Sequence, residues 1–300
     1  MRRRLVTVLL LLVRAMAAAA APEPCPQYVA RPERTGSVPA VLRELSGFAA
    51  SQVHPGVFWA HNDSGNAPEL YALRADGSIA ATLTLRGATL RDPEDIAVGP
   101  CTPGSERSCI YLGDIGDNGA RRRNVQILKV EEPALLADGL LVPAILPFRY
   151  EDGPANAEAL VVDPATARVF VITKSPISLG TVYRVDDLGG REGGLAVRVR
   201  TLRAPREFDA PTTGAAAHPS GTRLLLRTYT RVWELRGPAA RAFEDVLDAE
   251  PVAVTEAPQP QGEAVSYTRD GRGYLLAGEG ANSPIYRVGC AEQVTSPRDR

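Results

Sequence analysis

The sequence predicts an all-β protein folded as a β-propeller of four-stranded blades. The first observation is a repeat, because five segments with the same layout of small residues and turn residues begin 50, 64, 55 and 50 residues apart. The second is that each segment is followed by the same succession of apolar and alternating runs. Few segments show a helical period of 3.6 residues, and 133–141 is the best candidate for a short helix. Four antiparallel strands that recur in this way are typical of propeller blades.

Each repeat is interpreted as four strands. The first is a small-residue strand that runs into a turn rich in Pro, Gly, Asp or Ser, and it starts at Glu44, Glu94, Glu158, Thr213 and Glu263. The second is a near-continuous apolar run, which indicates burial on both faces, at 57–60, 109–112, 169–173, 224–228 and 273–277. The third alternates in polarity, at 70–73, 125–130, 182–185, 232–235 and 285–288. The fourth is more polar, at 79–85, 145–150, 197–202 and 252–256.

The fifth repeat has no fourth strand of its own, because the chain becomes polar soon after residue 290. We expect the N-terminal segment 28–32 to supply that strand and to close the ring. Five blades are the preferred prediction. Six remain an alternative, since the insert 120–147 has room for further strands.

The extreme N-terminus predicts export. Arg2, Arg3 and Arg4 precede an apolar run over 5–13, and small residues with an Ala-x-Ala pattern follow over 15–21. This is the layout of a secretory signal peptide, and the run is too short to span a bilayer, which needs about 20 residues. We therefore expect a signal peptide over 1–21, one propeller domain over 22–292, a polar tail over 293–300, and a secreted or periplasmic protein.

The mature chain is mildly acidic. Removal of 1–21 takes away four arginines and leaves 30 basic and 35 acidic side chains. Nucleic acid is excluded as an expected partner, because phosphate binding needs a basic field. No second long apolar segment follows, so no transmembrane anchor is expected, and we expect a monomer.

The four cysteines suggest disulfide bonds in an exported chain. They are Cys25, Cys101, Cys109 and Cys290, and three pairings are open. Cys101 and Cys109 flank a turn-rich loop that a disulfide would staple, which leaves Cys25 and Cys290 at the two ends of the domain. Four reduced thiols are the alternative in a reducing compartment.

The polar ends of the strands predict a site. In an antiparallel hairpin, the start of the first strand and the end of the second lie at the same edge. If the first strand is innermost, the five starts named above ring one mouth of a central channel. The strand ends bring to the same mouth Asn62, Asp63, Asp114, Lys174, Arg227, Tyr229 and Glu279.

Carboxylates that converge in this way raise each other's pKa or recruit a cation. An oxygen-rich set suits Ca²⁺ best, or Mg²⁺ with retained water, and Glu94, Asp114, Glu158 and Glu263 are the predicted ligands. Zinc is disfavoured, because the three histidines are scattered along the chain. The alternative is purely architectural, with each glutamate hydrogen-bonded to backbone amides of the neighbouring blade.

Several nearby features have a plain interpretation beside the functional one. The sequence Asp-Asn-Gly at 117–119 reads equally as a turn. His61 is the one histidine near the predicted site, where a general base and a structural hydrogen bond are both open. The arginines at 121–123 read as a solvated turn. Common nucleophile elbows, Walker loops and dinucleotide fingerprints are missing from the sequence.

Five short motifs resemble those of a group of secreted bacterial propellers of uncharacterised role, over nearly all of the mature chain. They are Ser46-Gly-Phe, Asn62-Asp-Ser-Gly65, Gly113-Asp-Ile-Gly-Asp-Asn118, Glu158-Ala-Leu and Gly262-Glu-Ala. More distantly the chain is similar to phytase-like and gluconolactonase-type propellers. That resemblance implies a divalent ion at the channel mouth and makes ligand candidates of Glu94, Glu158, Glu263, Asn62 and Asp114.

Two functions follow as hypotheses. The preferred one is a binding module whose mouth holds a divalent cation and a small anionic ligand or an extracytoplasmic surface partner, with Asn62, Asp63, Lys174, Arg227, Tyr229 and Glu279 as ligand-binding residues. The alternative is a metal-dependent hydrolase of phosphoesters or lactones. In that case His61 and Glu158 are the expected catalytic residues.

Overall fold

A computed structural model describes residues 22–238 and 242–291 of the chain. The predicted signal peptide, 1–21, and the predicted tail, 293–300, lie outside these residues. The first strand, β1 (Glu33–Ser37), precedes the repeats. The first repeat then forms β2 (Leu45–Ala50), β3 (Val57–Asn62), β4 (Glu69–Arg74) and β5 (Ile79–Leu85), which pair in order as an antiparallel sheet.

The second repeat contains β6 (Pro93–Pro100), β7 (Ser108–Asp114) and β8 (Val125–Glu131), then the short β9 (Gly139–Leu141) and β10 (Ala144–Tyr150). The third contains β11 (Ala157–Val162), β12 (Val169–Thr173), β13 (Thr181–Asp186) and β14 (Gly194–Thr201). Strands β10 and β14 pair in parallel over three residues, which joins the outer edges of the second and third sheets.

The fourth repeat contains β15 (Thr212–Ala217), β16 (Arg223–Thr228), β17 (Val232–Arg236) and β18 (Val252–Ala253). The fifth contains β19 (Gly262–Tyr267), β20 (Gly273–Gly278) and β21 (Pro284–Gly289). Two short 3₁₀ helices cover Ala40–Leu42 and Phe243–Asp248. No helix among the described residues is long and apolar enough to cross a membrane.

The arrangement is the propeller that the sequence predicts. The first strands β2, β6, β11, β15 and β19 contact each other in a closed cycle, each touching the first strand of the next repeat. Five hydrophobic clusters fill the spaces between consecutive sheets. In β3, for example, Phe58 packs into the cluster shared with the fifth sheet while Trp59 packs into the cluster shared with the second. This two-sided burial explains the near-continuous apolar runs.

The N-terminus closes the ring, but through a different segment than predicted. Strand β1 at Glu33–Ser37 is the fourth strand of the fifth sheet and pairs antiparallel with β21. The predicted segment 28–32 forms only an isolated bridge between Tyr28 and Cys290. Cys25, three residues before Tyr28, is disulfide-bonded to Cys290, which holds this segment beside the end of β21.

The predicted helix at 133–141 is wrong. Within it the described chain forms β9, which pairs in parallel with β5 at the outer edge of the first sheet. Leu83 lies opposite Gly139 in this pairing, and the backbone of Thr82 donates a hydrogen bond of 2.8 Å to Asp138. Pairing with a free strand edge satisfies the backbone here, and this tertiary contact overrides a weak helical pattern.

Both predicted disulfides are present. Cys25 is bonded to Cys290 and Cys101 to Cys109. The first joins the two ends of the described domain next to the bridge between Tyr28 and Cys290. The second closes the turn between β6 and β7.

Candidate acidic site at the channel mouth

All five inner hairpins contain a β-bulge at the same place. The register between the first and second strands shifts by one residue in each sheet, and the extra residue is Ser46, Glu94, Glu158, Thr213 or Glu263. A bulge re-aims a side chain relative to the regular alternation of a strand. Four of these five residues line one cleft at the mouth of the channel, which explains how the sheets gather their acids.

The register corrects one member of the predicted ring. Glu44 precedes β2, and Ser46 is the residue equivalent to Glu94. Ser46 donates a hydrogen bond of 2.5 Å to the backbone oxygen of Glu94. Thr213 likewise donates to the backbone oxygen of Gly262 at 2.9 Å. The two hydroxyl residues therefore tie neighbouring sheets together, while the other three positions hold glutamates.

The cleft has a volume of about 100 Å³. It is lined by Leu45, Ser46, Asn118, Tyr229 and Gln261, by the acids Glu44, Asp63, Glu94, Glu158, Glu263 and Glu279, and by Lys174. Six carboxylates thus face a single ammonium group. In the structure these six acids line one cleft, in agreement with the predicted convergence of acids at one mouth of the channel.

Two acids of this cleft, together with the neighbouring Asp92, could hold a metal ion. Carboxylate oxygens of Asp63, Asp92 and Glu94 all lie within 4.8 Å of one another. Asp63 follows the end of β3, Asp92 immediately precedes β6, and Glu94 is the bulged residue of β6. We call these three residues the acidic triad. Only Glu94 among them was predicted as a metal ligand.

The triad is electrostatically unfavourable without a cation. The pKa of Glu94 is raised to about 10. Burial is the main cause, and the neighbouring carboxylates of Glu158, Asp63 and Asp92 add to it. Burial also raises the pKa values of Asp63 and Asp92. Among the described residues, no side chain forms a salt bridge or donates a hydrogen bond to the triad.

The remaining acids of the cleft have side-chain donors. Asn156 donates to Glu158 at 2.8 Å and Gln261 donates to Glu263 at 3.0 Å. Glu44 and Glu279 accept hydrogen bonds from Asn66 and Gln261. A hydrogen bond to the charged form stabilises a carboxylate. This difference singles out the triad as the part of the cleft where a cation is most needed.

Lys174 is shared between the third and fourth sheets. Its ammonium lies 3.1 Å from Glu158 Oε2 and 3.0 Å from the Tyr229 hydroxyl. Burial alone would lower the pKa of Lys174, but the Glu158 carboxylate and Tyr229 raise it, and the net shift is upward. Lys174 is therefore a permanent positive charge at the edge of the cleft.

Asp114 does not belong to the triad. Its carboxylate is almost completely buried and accepts from Arg122 at 3.0 Å, from Gln126 at 2.8 Å and from the backbone of Asp92 at 2.8 Å. Asp114, a predicted metal ligand, thus has its own partners in the structure, and these make it a support for the loop beside the triad. Asp114 is neutralised by Arg122, and it positions the backbone next to a member of the triad.

Gly116 packs directly against the triad. A Cβ atom at this position would lie 2.2 Å from Glu94 Oε1 and 2.5 Å from Asp92 Oδ2. Its backbone N–H donates to the oxygen of Asp92 at 3.0 Å, and its own oxygen accepts from Arg122 at 2.7 Å. Only glycine lets the backbone approach both carboxylates this closely. The close packing against the two carboxylates thus explains why the second Gly of Gly-Asp-Ile-Gly is a glycine. Its turn-like sequence context does not show this.

Besides Asp114, three more predicted site residues lie outside the cleft. Asn62 uses its amide to bind the backbone of Glu44 and of Val41, at 3.1 and 2.8 Å. His61 is buried, and its Nδ1 bonds the backbone oxygen of Asn62 at 2.9 Å. Burial lowers the pKa of His61 to about 4, so the imidazole is neutral. Arg227 is completely buried and donates to Gln259 at 2.9 Å.

Asp95 follows Glu94 in β6 and links the first strands of three repeats, and the sequence pattern does not single it out. Its carboxylate accepts from the backbone N–H groups of Ile96, Leu160 and Ala215, at 2.8, 2.9 and 3.2 Å. These residues belong to three different sheets. The equivalent positions in the other first strands are Gly47, Ala159, Gly214 and Ala264. Small residues there leave room for one carboxylate at the axis.

No family model matches this chain, and no curated protein matches it. Among solved structures, a provisional 6-phosphogluconolactonase from Bacteroides uniformis has 13% identity, with 84% of this chain and 69% of that chain covered and a TM-score of 0.42. A provisional gluconolactonase has 14% identity, coverages of 82% and 73%, and a TM-score of 0.43. The soluble aldose sugar dehydrogenase of Escherichia coli has 10% identity, coverages of 87% and 99%, and a TM-score of 0.47. At these scores the likeness says nothing about the activity of this chain.

Proposed function

We propose that the channel mouth is a binding site for a divalent cation, held by Asp63, Asp92 and Glu94. The observation that carries this proposal is the approach of three carboxylates to within 4.8 Å of one another without a neutralising side chain among the described residues. A cation would offset the burial and the mutual repulsion that together raise their pKa values. The raised pKa values support a site that binds a positive ion. The close approach of Gly116 supports a site from which other side chains are excluded.

Calcium is the ion that the donors suit best. All three side chains offer hard carboxylate oxygens, and the cleft adds further oxygens from Glu158 and Glu263. Calcium takes 6–8 oxygen ligands in flexible geometry, whereas magnesium demands near-ideal octahedral geometry and retains several waters. Glu158 and Glu263 remain candidate ligands in this proposal. We rank them below the acidic triad because each already accepts a hydrogen bond from a side chain.

We further propose that the cation is bound together with a small anionic ligand or an acidic group of an extracytoplasmic surface partner. Lys174 and Tyr229 line the same cleft as the acids, with Lys174 beside Glu158, and an ammonium next to a bound cation would attract an anion. Glu279 and Asp63 lie at the same cleft. Arg227 would act only through its charge, because it is buried away from the cleft surface.

The proposal includes export and action as a monomer. Two disulfides in one chain are typical of oxidising compartments. They agree with the signal-like N-terminus, and both observations favour a secreted or periplasmic protein.

The hydrolase alternative would use the same cleft, and one observation favours it. Glu158 lies on the cleft surface, paired with Lys174, where it could accept a proton from a water molecule. His61 has no exposed surface at the cleft, so Glu158 is the better candidate for a base. Assays with phosphate esters and lactones, with and without calcium, separate the alternatives, because only a hydrolase shows turnover that Glu158→Gln abolishes.

The cation proposal is tested by thermal unfolding in calcium and in EDTA. A ligand at 100 times its Kd stabilises the folded state by about 2.7 kcal/mol, so calcium should raise the Tm of the wild type by several degrees. Glu94→Gln should remove this response and, because it replaces a buried carboxyl group whose charged form is disfavoured by burial and by its neighbours, raise the Tm in EDTA. The exposed Glu250→Gln is the matched control and should behave as wild type. An unchanged Tm in calcium would contradict the proposal.

A further inference from the structure

A second cavity lies on the opposite face of the ring from the acidic mouth. Its volume is about 470 Å³, and it is formed between the first and fifth sheets by the β2–β3 and β19–β20 turns. These turns follow the far ends of the first strands. The cavity shares no lining residue with the mouth cleft. Any function of this cavity is therefore independent of the cation site.

The wall of the cavity is apolar. Val57, Phe58 and Leu275 contribute to it and are buried in the two sheets, and Ala75 lies beside them half-buried. The volume falls within the range of about 300–1,000 Å³ that small-molecule sites occupy. Apolar walls of this kind bind the apolar body of a ligand through the surface they remove from water.

The rim of the cavity carries positive charge. Arg269 and Arg287 both line it, both are exposed, and neither forms a salt bridge within the part of the chain that the structure describes. Glu33 lies opposite Arg287 in the β1–β21 pairing without forming an ion pair with it. Two guanidinium groups are thus free to bind an anion.

One acid, Asp270, also lines the cavity, and one of its two carboxylate oxygens, Oδ1, is engaged by hydrogen bonds. Asp270 accepts a hydrogen bond from the Thr268 hydroxyl at 2.6 Å and from the backbone N–H of Arg272 at 3.1 Å. Both bonds are made within the β19–β20 turn. Asp270 therefore supports the turn through Oδ1, and the rim offers a ligand two arginines against one aspartate, which leaves an excess of positive charge.

We propose that this cavity binds a small amphipathic anion, with its apolar body against Phe58 and Leu275 and its acidic group between Arg269 and Arg287. The acidic group would be a carboxylate, sulfonate or sulfate, because guanidinium forks match planar or multi-oxygen acids. An apolar wall selects against small inorganic ions, and the paired arginines select against neutral ligands of the same shape. Charge complementarity therefore defines the class of ligand.

The test uses two fluorescent probes of the same shape. One is 8-anilinonaphthalene-1-sulfonate, which carries a sulfonate, and the other is the neutral N-phenyl-1-naphthylamine. We expect the anionic probe to bind the wild-type protein with one-to-one stoichiometry and the neutral probe to bind less tightly. Arg269→Met and Arg287→Met should each weaken the anionic probe about tenfold and leave the neutral probe unchanged, as expected for a charge-assisted hydrogen bond.

Two matched controls make the test specific. Arg272→Met removes an arginine from the same turn that does not line the cavity and should leave both probes unaffected. Glu94→Gln should also leave both unaffected, which separates this site from the cation site. Ala75→Leu should fill the cavity and weaken both probes. Equal affinity of the anionic probe for the wild type and for both rim variants would overturn the proposal, as would unchanged binding to a folded Ala75→Leu protein.

Discussion

The Asp95 carboxylate accepts a hydrogen bond of 2.9 Å from the backbone N–H of Leu160, although the two residues belong to neighbouring sheets. The same carboxylate oxygen accepts from Ala215 on the sheet after that, at 3.2 Å. One side chain thus links three sheets at the axis of the ring. The link depends on the small residues that occupy the equivalent positions elsewhere.

Asp95→Ala should destabilise the protein strongly. Three buried N–H groups would lose their acceptor, and each unsatisfied group costs about 1–3 kcal/mol. We expect a loss of at least about 3 kcal/mol in the free energy of unfolding, measured by urea denaturation. Asp95→Asn keeps one acceptor oxygen and should lose less. Equal stability of the alanine variant and the wild type would show that the axial link contributes nothing.

Arg122→Met should weaken both the fold and the cation site. Arg122 and Asp114 are both nearly buried, and removing one partner of a buried ion pair costs about 3–5 kcal/mol. Because Asp114 and Arg122 hold the backbone of Asp92 and Gly116, calcium affinity should fall at least tenfold in isothermal titration calorimetry. Arg121→Met, an exposed neighbour in the same loop, should change neither quantity. If calcium affinity is unaffected in folded Arg122→Met, the support role is wrong.

Gly116→Ala should impair the cation site selectively. The added methyl group would collide with Glu94 and Asp92, so the two carboxylates must separate. We expect a large loss of calcium affinity in calorimetry. Gly119→Ala is the control from the same loop, since its Cβ would meet no atom closer than 3.4 Å. Similar calcium affinities of these two variants would argue against the triad as the site.

Glu263 should make the stability of the cation-free protein depend on pH. Burial raises the pKa of Glu263 to about 8, well above the value of about 4.3 for glutamate in an unfolded chain. The folded state therefore holds this proton more tightly, and the contribution of Glu263 to stability is lost as the pH rises between about 4 and 8. Glu263→Gln does not ionise and should become more stable relative to wild type over this range, by at most about 1.4 kcal/mol per pH unit.

Urea denaturation in EDTA at a series of pH values measures this difference. Saturating calcium should reduce it, because a cation offsets the cost of the ionised carboxylates. A difference between the two proteins that is constant with pH would contradict the raised pKa of Glu263.

The two disulfides should contribute unequally. On the loop-entropy account, stabilisation grows with the length of chain that a disulfide closes. Cys25 and Cys290 are 265 residues apart, whereas Cys101 and Cys109 are 8 apart. Replacing the first pair with serine should cost about 5 kcal/mol and the second pair about 2–3 kcal/mol, measured by urea denaturation. A larger loss for the short loop would show that enthalpic effects dominate.

The sequence by itself determined the repeat, the order of the strands and the mouth at which the acids gather. These features are local, because strand alternation, turn residues and spacing are written in neighbouring residues. The positions of the cysteines in that layout also sufficed to suggest the observed pairing, although the sequence left other pairings open. The closing strand was placed a few residues too early, since strand ends depend on which edge is free to pair.

Only the tertiary structure decided which acids remain without a partner. Asp114 and Glu94 look alike in the sequence, as carboxylates at strand ends, yet Arg122 neutralises the first and nothing described neutralises the second. The bulge that makes Ser46 rather than Glu44 equivalent to Glu94 is also invisible in composition. The cost of a charge depends on the distances to donors and to other charges in space, which residues far apart in the chain set together.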